Sequence, residues 1–198
     1  MKPVTALIIG IAALTLPAFA QASTWKIDPD HSNIGFKVRH LMVSNVRGNF
    51  EKHTGTVHID DRDITKSRVE ITIDAASINT NVAKRDAHLR SADFFDVAKY
   101  PTITFVSRKV VSAGTDKLKV TGDLTIHGVT REVVLDVDGP SRESKDPWGN
   151  IRRGVSAGTT INRKDFGLIW NKALETGGVL VGDDITIALE IEMVKAQQ

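Results

Sequence analysis

The stretch Asn81-Val-Ala-Lys-Arg-Asp-Ala-His-Leu-Arg-Ser-Ala-Asp-Phe-Phe-Asp-Val-Ala-Lys-Tyr-Pro-Thr-Ile-Thr-Phe105 decides the fold, because only here does an otherwise alternating chain turn helical. Val82, Leu89, Phe94 and Phe95 are its apolar members, crowded by Lys84, Arg85, Asp86, His88 and Arg90. Asn79 or Thr80 can cap the start, and Asp96 through Pro101 leads back into a strand. The reading is a short helical lid across one mouth of a β-barrel, its aromatic pair turned inward and its charged edge facing a polar opening. The alternative is a surface connection whose two Phe residues fill a hole in the core.

On either side of this stretch the period is two. Ile34, Phe36 and Val38 oppose Lys37 and Arg39, and Val69, Ile71 and Ile73 alternate with Glu70, Thr72 and Asp74. Leu118, Val120, Gly122, Leu124 and Ile126 repeat the pattern after a turn at Ser112–Asp116, and His127-Gly128 turns the chain again. Ile185, Ile187, Leu189 and Ile191 close the series. Such alternation marks strands with one dry face. About eight strands at hairpin spacing with one helical interruption favour an antiparallel barrel or sandwich. A barrel of that size either packs solid or holds one small ligand. Gly122, Ala157 and Thr159 are small at inward positions, which leaves room for a guest unless Gly122 marks only a bend and neighbouring side chains close the gap.

Residues 1–22 read as a leader: Lys2, an apolar run from Ala6 to Leu16, and small residues at Ala18, Ala20 and Ala22. The run falls short of the about 20 residues needed to span a bilayer. An exported, periplasmic or secreted chain beginning after Ala20 or Ala22 is expected, with residues 23–198 as one domain and no integral membrane segment after cleavage. There is no cysteine, so disulfides, thiolate nucleophiles and Cys-bound zinc are excluded. The formal charge is +2 with the signs interspersed, which argues against nucleic acid as a partner.

The sequence offers little chemistry. Six histidines make no His-Glu-x-x-His helix, and His53 and His58, five apart on a strand, point to opposite faces. Asp28-Pro-Asp-His-Ser32 has the composition of a triad but the look of a turn that starts a strand. No Gly-x-Ser-x-Gly elbow or phosphate loop is present. The expectation is no catalytic residue and no metal. Asn162 to Trp170, mixed polar and aromatic, is either a second rim of a cavity or a loop tethered by Arg163 to Asp165 or Asp183.

Taken together, Trp25-x-Ile-Asp28, His31-Ser-x-Ile-x-Phe36, Arg39-His-Leu41, Gly48-x-Phe50, Arg85-Asp-x-His-Leu-Arg-Ser-x-Asp-Phe-Phe95, Tyr100-Pro101, Gly122-Asp-Leu-Thr-Ile-His-Gly-Val-Thr130 and Asn162-Arg-x-Asp-Phe-Gly167 resemble the YceI-like family of exported bacterial proteins. The resemblance runs the length of the chain after the leader. It implies an all-β, eight-stranded antiparallel, lipocalin-like barrel with a short helical lid, commonly a homodimer. It also implies an apolar tunnel for a long-chain isoprenoid or other amphiphilic lipid, such as a polyprenyl lipid or a polyprenyl quinone like ubiquinone. No enzymatic reaction and no further cofactor come with it. Alternation and the lid together name a wall for the tail: Phe36, Val38, Phe50, Ile71, Phe94, Phe95, Phe105, Leu124, Ile161, Phe166 and Trp170. His40, Arg85, His88 and Arg90 are placed at the mouth to meet a head group. At about 0.8 kcal/mol per methylene, a tail of some two dozen carbons gains on the order of 20 kcal/mol gross before ordering costs. The competing readings are a lipid-modifying enzyme using His40 or His88, and an interaction module with a filled core.

Overall fold

Alternation becomes strand wherever one face can be kept dry. The computed structural model describes residues 22–175 and 177–197. All of the expected leader except Ala22 therefore lies outside the described residues. The strands are β1 (Ala22–Ile27), β2 (Asn33–His40), β3 (Ser44–Phe50), β4 (His53–Asp60), β5 (Arg68–Asp74), β6 (Ile78–Asn79), β7 (Thr102–Gly114), β8 (Lys117–Ile126), β9 (Val129–Asp138), β10 (Ser144–Lys145), β11 (Ile151–Asn162) and β12 (Val181–Lys195). Helix α1 (Ala83–Arg90) follows β6. The ring runs β11-β9-β8-β7-β5-β4-β1-β12 and closes where β12 pairs with β11. This is an eight-stranded antiparallel barrel, and the hairpin of β2 and β3 stands outside the ring count.

β12 decides the shape. One edge pairs with β11 from Asn162↔Asp184 to Arg152↔Val194. The other edge is divided: β1 takes Met193 to Lys195, and β2 takes Val181 to Glu190. The exchange happens at Asp28-Pro29, because proline has no N–H for a ladder. Pro29–His31 forms a 3₁₀ turn, with Asp28 accepting from the Asp30 amide. The Ser32 hydroxyl then accepts from the Glu192 amide at 3.0 Å, bridging the gap between the two partners. Beyond this point β2 and β3 carry the wall onward, and β3 rejoins the barrel through Phe50↔Ile78.

The β1 end is shut. Trp25 and Met193 are fully buried, and the Trp25 indole N–H donates to Ser23 Oγ at 2.9 Å. Arg153 and Lys195 lie over the Trp25 ring at 5.2 and 5.5 Å. Gly122 does not leave room for a guest. A Cβ there would sit 2.5 Å from Phe105 Cζ, so the Phe105 ring occupies the space. His53, opposite Ile73 on β4, is 5% exposed and neither ring nitrogen has a partner. Burial lowers its pKa, since charging it among hydrocarbon is costly.

Outside the β1 end, Arg152 donates to Asp28, Asp146 and Glu192, tying three segments together. The Arg152 hydrogen bond holds the Asp28 carboxyl down at about 2. At Asp146 burial opposes ionisation, but hydrogen bonds from Arg152 and Asn150 prevail and depress its pKa. A depressed carboxylate contributes stability above its unfolded pKa and loses it as pH falls through the folded value. Arg152→Gln is thus expected to lower the denaturation midpoint at neutral pH, a loss that fades as pH drops from about 4 to about 2 in chemical denaturation. His53 acts in the same direction but at higher pH: its folded pKa is depressed, so the unfolded chain takes up its proton first and stability drops as pH falls below about 6.5. His53→Leu should raise Tm and flatten its decline between about pH 7 and 5; an unchanged slope would show that His53 carries none of it.

Candidate functional site

The lid is held by polar side chains rather than by an apolar helix face. Val82 is the helix N-cap and offers no side-chain cap. The expected capping by Asn79 or Thr80 is replaced by the reverse contact: Asp86, the buried residue of α1, reaches back to accept from the Thr80 amide and hydroxyl. Arg85 donates to Thr80 Oγ1 and Thr80 O, both at 2.7 Å. Arg90 donates to Ala76 O and Ile78 O, also at 2.7 Å. A planar guanidinium suits two carbonyls at once. The helix is thereby pinned to the strand it follows, and the chain after it is aimed at the barrel end. Val82 faces outward, while Leu89, Phe94 and Phe95 face in.

Beneath the lid lies a cavity in which about 160 Å³ is open to the centre of a water molecule. Its walls come from β2, β3, β5, β6, β7, β8, β9, β11 and β12, with Leu89, Phe94 and Phe95 as its roof. An apolar cavity of this size stays dry. A smaller one, about 90 Å³, continues toward the closed end and shares Ile71 and Leu189 with the first. Ala157 lines this lower chamber, whereas Thr159 lines neither.

Of the residues expected to form a tail wall, Phe36, Val38, Phe50, Ile71, Phe94, Phe95, Phe105, Leu124, Ile161 and Phe166 surround the upper cavity. Trp170 does not. It packs at the rim against His88 and Phe94, with ring centroids 4.8 and 5.2 Å away. Inside, Phe50 links Phe36 and Phe95 at 5.9 and 5.7 Å. Gly48 makes this possible, because a Cβ there would sit 2.6 Å from Phe36 Cζ. The wall also contains Ile185 and Ile187, which alternation marks as inward without showing their height in the barrel.

The residues expected at a head group divide differently. Arg85 and Arg90 spend their donors on oxygens of the segment before the lid, at Thr80, Ala76 and Ile78, and His88 is paired with Asp93 at 2.8 Å. His40 stands at the rim opposite Val181, and among the described residues nothing hydrogen-bonds its ring. Among the described residues Arg163 is the one charged member of the cavity lining, a role that the motif at Asn162–Gly167 alone does not reveal. Its guanidinium donates to Leu168 O, Trp170 O and Gly182 O and pairs with Asp183 at 3.0 Å. Burial lowers its pKa and Asp183 works against that shift. Arg163 thus ties the rim loop to β12; its charge faces protein oxygens while its surroundings face the cavity.

Asp28, His31 and Glu192 could in principle share an ion, their ligand atoms lying within 4.8 Å of one another. Arg152 already sits between the two carboxylates, so their charge is spent. The Asp28–His31 contact, 2.9 Å, belongs to the turn before β2, and it raises the His31 pKa. Ser32 is engaged with Glu192 rather than with His31.

The chain is similar to known proteins along most of its length. A UPF0312 protein of Vibrio cholerae is 41% identical over 167 residues, covering 83% of this chain and 88% of its own. The solved structure of the Campylobacter jejuni YCEI protein is 35% identical, with a TM-score of 0.68 over 86% of this chain and 96% of that one. A polyisoprenoid binding domain from Saccharophagus degradans, implicated in plant cell wall breakdown, shares the fold at 16% identity, with a TM-score of 0.63 over 87% of this chain and 98% of its own. The YceI-like domain model matches residues 25–193, and by that match the chain belongs to the YceI-like family.

Proposed function

We propose that this protein binds a long-chain isoprenoid lipid or polyprenyl quinone in its barrel without altering it chemically, serving to carry, store or scavenge it. The observation that carries the reading is the cavity wall: aliphatic and aromatic side chains from nine strands and the lid, with Arg163 the single charged member among the described residues and its donors turned to protein oxygens. Such a wall recognises hydrocarbon by burial alone and offers nothing to orient a reacting bond. The lower chamber gives a tail somewhere to extend past Ile71 and Leu189.

The head group would lie at the rim, where the His40 ring has donors and acceptors to spare and Trp170 and His88 supply flat surfaces. The polyisoprenoid binding domain with the same fold supports the choice of ligand class. Export is part of the reading and is supported by the apolar run near the N-terminus; among the described residues no helix is long and apolar enough to cross a membrane. The homodimer rests on the family resemblance.

Protein isolated from its producing cell should carry about one isoprenoid molecule per chain in native mass spectra and lipid extracts. Repeatedly empty spectra, or a ligand without isoprene units, would overturn the reading. Ile187→Trp, which projects an indole into the upper cavity, should abolish the bound lipid while changing stability by less than about 1 kcal/mol. A loss of about 1–3 kcal/mol, as overpacking of a solid core would give, contradicts the tunnel.

A further inference from the structure

The hairpin of β2 and β3 has a second face. Inward, Ile34, Phe36 and Val38 belong to the cavity wall. At its tip Leu41, Met42 and Val43 are 39%, 50% and 74% exposed, an apolar cluster standing in water beside the cavity mouth. Leu41 and Met42 both have positive φ, 51° and 61°, a conformation that Asn or Gly adopts far more easily than large side chains. A turn that only had to reverse the chain would not place leucine and methionine there.

The tip is continuous with the mouth. The Leu41 amide donates to Leu180 O, and the Leu180 amide donates to Lys172 O, so tip and rim loop lie side by side. On that loop Ile169, next to Trp170, is 71% exposed. The outward face of the hairpin carries Lys37, Arg39 and Arg47, and no acid occurs from Ser32 to Phe50. Lys37 and Arg47 are direct cross-strand partners, an arrangement that like charges disfavour. None of the three forms an ion pair among the described residues. Nearby on β12, Asp183 is engaged by Arg163 and Lys164, leaving Asp184 as the exposed acid. Apolar side chains at the apex with cations behind them match a surface that is greasy inside and anionic outside.

We propose that the barrel docks onto anionic phospholipid bilayers through this hairpin, the tip entering the headgroup region and Lys37, Arg39 and Arg47 meeting phosphate, so that the cavity mouth opens toward the lipid. The purpose of docking rests on the lipid-binding reading, but its evidence is the hairpin's own.

The test is flotation with vesicles of phosphatidylcholine alone or mixed in equal parts with phosphatidylglycerol. It uses protein isolated from its producing cell, with the N-terminus read by mass. Wild type should float with the mixed vesicles, and less with phosphatidylcholine alone. The combined variant Leu41→Asn, Met42→Gly, Val43→Ser suits the turn geometry and should lose about tenfold or more of this binding. Lys37→Gln with Arg47→Gln should lose about fivefold per cation on mixed vesicles and little on phosphatidylcholine. Native mass spectra of the same samples read the cavity separately: bound isoprenoid retained by a variant that no longer floats leaves the lipid-binding reading intact, and its absence from wild type that floats overturns that reading alone. The docking proposal falls if wild type does not float, or if the tip variant floats as well as wild type. It falls also if the tip variant turns a dimer into monomers in sedimentation with vesicle binding unchanged, which would make the hairpin a contact between copies.

Discussion

The divided edge of β12 is the constraint on which the rest of the molecule depends. A strand edge can satisfy only one partner at a time, and here β1 leaves at Pro29 so that β2 can take its place. Without the handover, the β1–β4 side would stop short of the β12 N-terminal half, leaving a buried strand edge with unpaired amides. With it, the barrel lengthens by a hairpin on one side, while β7, β8 and β11 run long on the other. The interior beyond Ile71 and Leu189 is therefore walled all round, yet too wide for its own side chains to fill.

Polar groups are distributed so that this interior stays apolar. Three arginines near the mouth turn donors to backbone oxygens: Arg85 and Arg90 to the segment before the lid, Arg163 to the rim loop and β12. The contacts convert exposed loops into fixed walls, since a guanidinium holding two or three carbonyls leaves the chain little freedom. His53 is the exception, a buried imidazole with both nitrogens unpaired among apolar neighbours. The two ends of the barrel contrast accordingly. The β1 end is closed by Trp25 beneath two cations, and the lid end by aromatic rings that meet edge to face.

Much of the wall was legible in the alternation. Phe36, Val38, Ile71, Phe105, Leu124 and Ile161 sit at inward positions of strands whose phase the sequence displays. Phe94 and Phe95 were legible as an apolar pair closing a charged helical turn. The mouth was not legible in the same way. Arg85, Arg90 and His88 look available in sequence because nothing in a linear string shows that Thr80, Ala76, Ile78 and Asp93 will lie within hydrogen-bonding reach. Gly122 misled for a related reason: a missing side chain means space only if no neighbour leans in, and the Phe105 ring does.

The sequence by itself determined the class of fold, the position of the lid and which side of each strand is dry, because these follow from periods of two and from breaks at Gly and Pro within a few residues of one another. The tertiary structure alone decided the heights at which inward residues meet and where β12 changes partners. It alone decided whether small residues leave space, and which cations serve the fold rather than face the opening. Those outcomes depend on register between strands far apart in the chain, and register is set by closing the whole ring at once.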